Sequence, residues 1–151
     1  MTFEQPREAH LDLSSRFENI ELAERALLDL CRTAGVPSDD EYWLTTALRE
    51  AVANAIKHGN REEPDRRVRI ALRIDDHTVS MRIDDEGQGF DSGAVPDPTD
   101  ESHLLSPSGR GIFYMRQFMT RVAFERAPEG GTSVVMERSY DASGRSTPDE
   151  E

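Results

Sequence analysis

The sequence is poor in cysteine, in aromatic residues and in positive charge. Its single cysteine, Cys31, leaves no internal disulfide to form, which fits a reducing compartment. Cys31 closes the run Leu27-Leu28-Asp29-Leu30-Cys31 and reads as a small buried hydrophobe rather than a nucleophile. No apolar run approaches the ~18 residues that a membrane span needs. The opening MTFEQPREAH has no apolar signal core, so a cytoplasmic protein with no membrane contact is expected. Lys and Arg number 18 against 30 Asp and Glu, a net charge of −12. A field of that sign argues against direct nucleic-acid binding, though a local nucleotide pocket remains compatible with it. There is no G-x-x-x-x-G-K-[ST] loop and no serine in a nucleophile elbow. The four histidines, His10, His58, His77 and His103, are scattered without cysteine partners or metal-ligand spacing.

What is present suits one domain with one core, the most that 151 residues support. Residues 1–8 are polar and are expected to be a flexible N-terminus, and residues 9–13 alternate as a short edge strand. Residues 20–34 repeat apolar side chains at helical spacing up to Gly35. Ser38-Asp39-Asp40 offers an N-cap for a second helix. That helix runs through residues 44–60, with Leu44, Leu48, Ala51, Val52 and Ala55 on its buried face and Gly59 as a left-handed terminator. Residues 68–74 and 79–83 alternate strictly around Asp75-Asp76-His77, a β-hairpin with one wet face. Residues 86–108 are rich in Gly, Pro, Ser and Asp without a period, and predict a long lid loop. A helix over residues 112–119 and a second hairpin over residues 121–139 follow. Residues 140–151 form a polar, acidic tail, expected to be disordered. Helices first and hairpins after predict an α+β fold, a two-layer sandwich with helices on one face of a mainly antiparallel, mixed sheet over residues 9–139.

Three stretches carry candidate chemistry. Glu50 and Asn54 stand four residues apart at the border of the apolar stripe, about 40° from each other around an ideal helix. They are either a solvated helix edge or a general base beside an amide oxygen suited to a hard cation. Lys57 and His58 lie on nearby faces, within reach of the same ligand or simply solvated. Asp85-Glu86-Gly87-Gln88-Gly89 follows a strand. Its glycines let backbone pass close to a flat ligand, and its aspartate can accept a hydrogen bond from an exocyclic amine. A hairpin-exit turn accounts for the same letters. Gly109-Arg110-Gly111 opens a helix and is either an ordinary turn or an anion site built from free amides and an arginine. Gly130-Gly131-Thr132 starts the last strand and is by itself a hairpin turn.

Taken in order, L-R-E-A-V-A-N-A-I-K-H-G, D-E-G-Q-G-F and G-R-G-I-F-Y-M resemble the N-box and glycine boxes of the ATPases that include gyrase, Hsp90, histidine kinases and MutL. The nearest resemblance is to the bacterial anti-sigma-factor serine/threonine kinases, from about Leu13 to Ser139. It departs at Thr120-Arg121-Val122, where many such kinases carry an acidic pair before the valine. The resemblance implies a Bergerat-type ATP-binding fold with ATP and Mg2+ as cofactors. It implies Glu50 as catalytic base and Asn54 as magnesium ligand. Asp85 would hold the adenine amine beside Gly87 and Gly89, Gly109, Arg110 and Gly111 would lie over the phosphates, and Thr132 would support Asp85. The implied partners are a STAS-type anti-anti-sigma substrate, a sigma factor and a second copy of the chain, for which the first twenty or so residues are a candidate interface. Two alternatives stay open: an ATP-dependent regulator that switches partners without phosphoryl transfer, and the catalytic half of a histidine kinase. The second needs a helical hairpin with a phosphoacceptor histidine, and only His10 precedes the N-box.

Overall fold

The computed structural model describes residues 7–87, 115–128 and 130–141. In chain order these form β1 (Arg7–Ser14), a 3-10 turn (Phe17–Asn19), α1 (Ile20–Ala34), α2 (Ser38–Asn54) with a π-helical turn (Ala55–Gly59), β2 (Arg67–Asp75), β3 (Thr78–Asp84), β4 (Arg121–Arg126) and β5 (Thr132–Ser139). Residues 115–118 are helical. The five strands make one sheet in the order β1-β2-β3-β5-β4. All four pairings are antiparallel, so the parallel component expected of a mixed sheet is not found among the described residues.

Alternation in the sequence becomes sidedness in the sheet. Val68, Ile70, Leu72 and Ile74 of β2 and Val79, Met81 and Ile83 of β3 are all buried against the helices. The opposite face carries Glu8 and Asp12 of β1, Arg69 and Arg73 of β2, and Arg82 and Asp84 of β3. β1 is longer than its alternating core of residues 9–13 indicated. It starts at Arg7, which pairs with Ile74, and Glu8 bonds Arg73 across the strands at 2.9 Å. Asp76 and His77 both have positive φ, 51° and 62°, which identifies the expected β2–β3 connection as a type I′ turn.

The helices meet the sheet through Leu27, Leu44, Leu48, Val52 and Ile56, all at most 1 % exposed. Burying each such side chain contributes about 1.5–3 kcal/mol. Gly35 adopts a left-handed φ of 78° and ends α1 as expected. The start of α2 differs from expectation. Ser38-Asp39-Asp40 does not cap it: the helix begins at Ser38, Pro37 holds the extended capping conformation, and among the described residues no side chain caps the end. Asp39, Asp40 and Glu41 instead occupy the first turn, where their charge suits the helix dipole. Asp40 also turns inward to meet Arg138 of β5, a requirement set by the fold and not visible locally.

Candidate functional site

β3 ends at Asp84, which faces outward, and the next residue turns inward. Asp85 is only 7 % exposed. Its Oδ1 accepts hydrogen bonds from the backbone amides of Gly87 at 2.9 Å and Thr132 at 3.0 Å. Its own amide donates to the Thr132 carbonyl at 2.9 Å. The carboxylate therefore joins the exit of β3 to the entry of β5. Among the described residues no donor reaches its second oxygen, Oδ2. Burial pushes the carboxyl above its ordinary range; the two backbone amides oppose that, and the neighbouring Asp84 adds to it.

Backbone is packed closely around Asp85. A Cβ on Gly59 would stand 2.2 Å from Asp85 Oδ2, one on Gly87 would stand 2.1 Å from the Gly59 carbonyl oxygen, and one on Gly131 would stand 2.1 Å from the Asp85 carbonyl oxygen. Each distance is below any tolerable contact. The expectation for Gly59 is thereby corrected. Gly59 is not left-handed; the positive φ values after the helix belong to Arg61 (53°) and Glu62 (58°). Close approach to Asp85, not helix termination, is what requires glycine there.

Glu50 and Asn54 lie half-buried on the last turns of α2, and neither side chain is hydrogen-bonded among the described residues. The π-helical turn follows at once, a distortion common at functional sites. It carries His58, whose pKa is lowered by partial burial first and by the charge of Lys57 second, with the Glu50 carboxylate opposing. Glu50 thus lies within electrostatic reach of His58. The turn ends at Gly59 against Asp85, so the fold brings the end of α2 to Asp85, Gly87 and Thr132. Thr132 holds Asp85 through its backbone amide and carbonyl. Gly89, Gly109, Arg110, Gly111 and residues 88–108 of the expected lid lie outside the described residues.

Sequence reasoning missed Ser15, Asn60 and Glu86. Asn60 is fully buried; its Nδ2 donates to Ser15 Oγ at 2.7 Å and to the Arg67 carbonyl at 3.0 Å, and its Oδ1 accepts from the Glu86 amide at 2.7 Å. Glu86 Oε1 accepts from the Arg67 amide at 2.7 Å, and Oε2 pairs with Arg69 at 2.9 Å. No local pattern announces these contacts, because the partners lie 17 to 45 residues apart, Arg67 beside Asn60 excepted.

As chemistry, the arrangement offers a buried aspartate with one oxygen that no described donor reaches, a cradle of backbone at the β3 exit, and a carboxylate and carboxamide on one helix face with no hydrogen bond among the described residues. The donor set suits a flat base bearing an amine, and the Asn54 amide oxygen suits a hard cation. Among the described residues no group of three His, Cys, Asp or Glu side chains forms a metal cluster.

Residues 13–138 match the model of the histidine kinase-like ATPase domain. The chain is 32 % identical over 130 residues to the anti-sigma F factor of Bacillus subtilis (strain 168), covering 84 % of this chain and 88 % of that protein. It is 32 % identical over 136 residues to the anti-sigma F factor of Geobacillus stearothermophilus, 88 % of this chain and 92 % of the relative. To that of Clostridium botulinum (strain Eklund 17B / Type B) it is 31 % identical over 133 residues, 87 % and 93 % of the two chains.

Proposed function

Because the chain belongs to the histidine kinase-like ATPase domain family, on the branch of the anti-sigma F factors, we propose that it is a cytoplasmic, ATP-dependent serine/threonine kinase and anti-sigma factor. Its substrate is a small STAS-type anti-anti-sigma protein, and its second partner is a sigma factor. The observation that carries the reading is the carboxylate of Asp85, buried and fixed at Oδ1 by two backbone amides while Oδ2 lacks a described donor. A free acceptor on a carboxylate held in that way matches the exocyclic amine of adenine.

Bound ATP supplies the transferable phosphoryl group, and magnesium neutralises its charge. Asp85 orients the base, with the bare backbone of Gly87 beside it and, in the proposed assignment, that of Gly89. Asn54 would hold the cation through its amide oxygen. Glu50, one turn earlier, accepts the proton of the substrate hydroxyl. Gly109, Arg110 and Gly111 are assigned to the phosphates, through backbone amides and a guanidinium. Thr132 keeps Asp85 in register with β5. Phosphorylation adds charge to the substrate at its docking face and weakens its hold on the kinase. We also assign a homodimer, with the outer face of the sheet, including β1, as its contact.

The test is transfer of labelled γ-phosphate from ATP to a serine or threonine of a purified STAS-type partner, with isothermal calorimetry of ATP and Mg2+ alongside. Glu50→Gln should bind ATP normally and transfer at least about a hundredfold more slowly, within the range of a lost general base. Transfer at the wild-type rate would remove Glu50 from its role, and no binding heat would end the nucleotide reading.

A further inference from the structure

Two bonds to Thr132, one from its amide to Oδ1 and one to its carbonyl from the Asp85 amide, fix Asp85 relative to β5, but neither fixes it relative to α2, which carries Glu50 and Asn54. A ligand spanning both elements needs them held at a set separation. The side chain that links them is Asn60. The backbone amide of Asn60 closes the π-helical turn on the Ala55 carbonyl at 2.8 Å, and its side-chain Oδ1 accepts from the amide of Glu86, the residue next to Asp85, at 2.7 Å. Its Nδ2 uses both protons, on Ser15 Oγ and the Arg67 carbonyl, so both the nitrogen and the oxygen of this buried carboxamide are engaged. The linkage is braced from behind. Ser15 Oγ donates to the Arg66 carbonyl at 2.7 Å, and the Glu86 carboxylate is held by Arg67 and Arg69. The chain after Asn60 then passes through two consecutive left-handed residues, Arg61 and Glu62, a conformation that L-residues hold only when neighbours enforce it.

We infer that Asn60 is a positioning residue for base recognition: by tying the end of α2 to the Glu86 amide, it sets where the Asp85 carboxylate stands and so makes the site prefer a base with an exocyclic amine over one with a carbonyl there. The inference rests on the assignment of Asp85 as the adenine acceptor. Without the Asn60 bond the Glu86 amide turns elsewhere for an acceptor, and Asp85 moves with it. An adenine amine then loses its fixed acceptor, while a guanine carbonyl, which never had a donor in Asp85, loses nothing. A purely structural asparagine would lower stability and leave the choice of base alone.

The experiment measures equilibrium binding of Mg-ATP and Mg-GTP, with melting temperature, for the wild type, Asn60→Ala and Ser15→Ala. The expected result is a wild type that prefers ATP, and an Asn60→Ala variant whose preference falls at least about tenfold, roughly the worth of one hydrogen bond to a charged group. Ser15→Ala keeps the Asn60–Glu86 bond; it should melt lower and discriminate as the wild type does. If Asn60→Ala does not fold, Asn60→Ser carries the test: its hydroxyl leaves room for a water on the Arg67 carbonyl but is too short for Glu86. A wild type that prefers ATP beside an Asn60 variant with the same preference overturns this inference alone, as does a Ser15→Ala variant that loses discrimination equally. A wild type indifferent to the base overturns the assignment of Asp85, and this inference with it.

Discussion

At the scale of single residues, Asp85 and Gly59 each give up stability for the site. The folded-state pKa of Asp85 is raised, chiefly by burial. A carboxyl raised on folding contributes stability fully below its unfolded pKa and loses it as pH rises through the folded value. At neutral pH the ionised group is therefore a cost. Asp85→Asn keeps an Oδ1 acceptor for Gly87 and Thr132 and removes the charge. It should melt at or above the wild type near pH 7.5, with the gap closing toward pH 4, yet bind ATP at least about tenfold more weakly, roughly 1.4 kcal/mol. Thermal melts across pH decide the first part: a variant less stable at pH 7.5 would show that the backbone donors outweigh desolvation. Gly59 gives a test of sign. Were it an ordinary helical residue, Gly59→Ala would stabilise by up to about 1 kcal/mol. The 2.2 Å approach to Asp85 Oδ2 makes alanine destabilising instead, by about 1–3 kcal/mol, with loss of ATP binding; urea denaturation and calorimetry measure both. Reading the sequence alone finds both residues but explains only one. Asp85 is legible because a strand end and two glycines mark it, whereas the reason for Gly59 lies 26 residues away, in the same Asp85.

At the scale of elements, α2 is held at both ends by contacts that periodicity does not encode. Its apolar stripe, Leu44 to Ala55, is readable because a helix repeats every 3.6 residues, and the strands are readable because they alternate. Its first turn is not. Asp40 is fully buried and bonds Arg138 Nε of β5 at 2.7 Å, while Arg138 Nη1 donates to the Phe118 carbonyl and Trp43 stacks on Phe118 with centroids 3.6 Å apart. Pairing residues 98 positions apart leaves no local signature, so an N-cap is the natural reading of Ser38-Asp39-Asp40. The pair is not all gain, since Asp40 Oδ2 is buried without a partner among the described residues. Arg138→Met strands the carboxylate and should cost about 3–5 kcal/mol. The double variant Asp40→Leu/Arg138→Met should recover most of that loss, because both desolvated charges go together. A double-mutant cycle in urea measures the coupling; a double variant as unstable as the single would locate the loss in the Phe118 carbonyl rather than in the ion pair.

At the scale of the molecule, charge decides where a second copy could dock. A chain of net charge −12 repels its copy, so a stable contact has to lie where charge is locally cancelled. The outer face of the sheet meets that condition. Arg73 pairs with Glu8 and Asp75, Asp12 with Arg67 and Arg69, Arg82 with Asp84, and Arg121 with Glu137. Between these rows Ala71 leaves a shallow cavity of about 330 Å³, flanked by His10, Asp12, Arg69, Arg82 and Asp84. Since the pairs on this face are satisfied within one chain, added salt weakens little of the contact while it screens the repulsion between whole subunits. The Debye length falls from about 30 Å at 0.01 M to about 8 Å at 0.15 M. Dimerisation should therefore tighten over that range in sedimentation velocity runs, the reverse of what a contact built on salt bridges between subunits would do. Ala71→Arg fills the cavity without touching the helices, and should leave a monomer with unchanged circular dichroism and unchanged ATP affinity. A dimer that survives that substitution, or that loosens as salt rises, would move the contact to another surface.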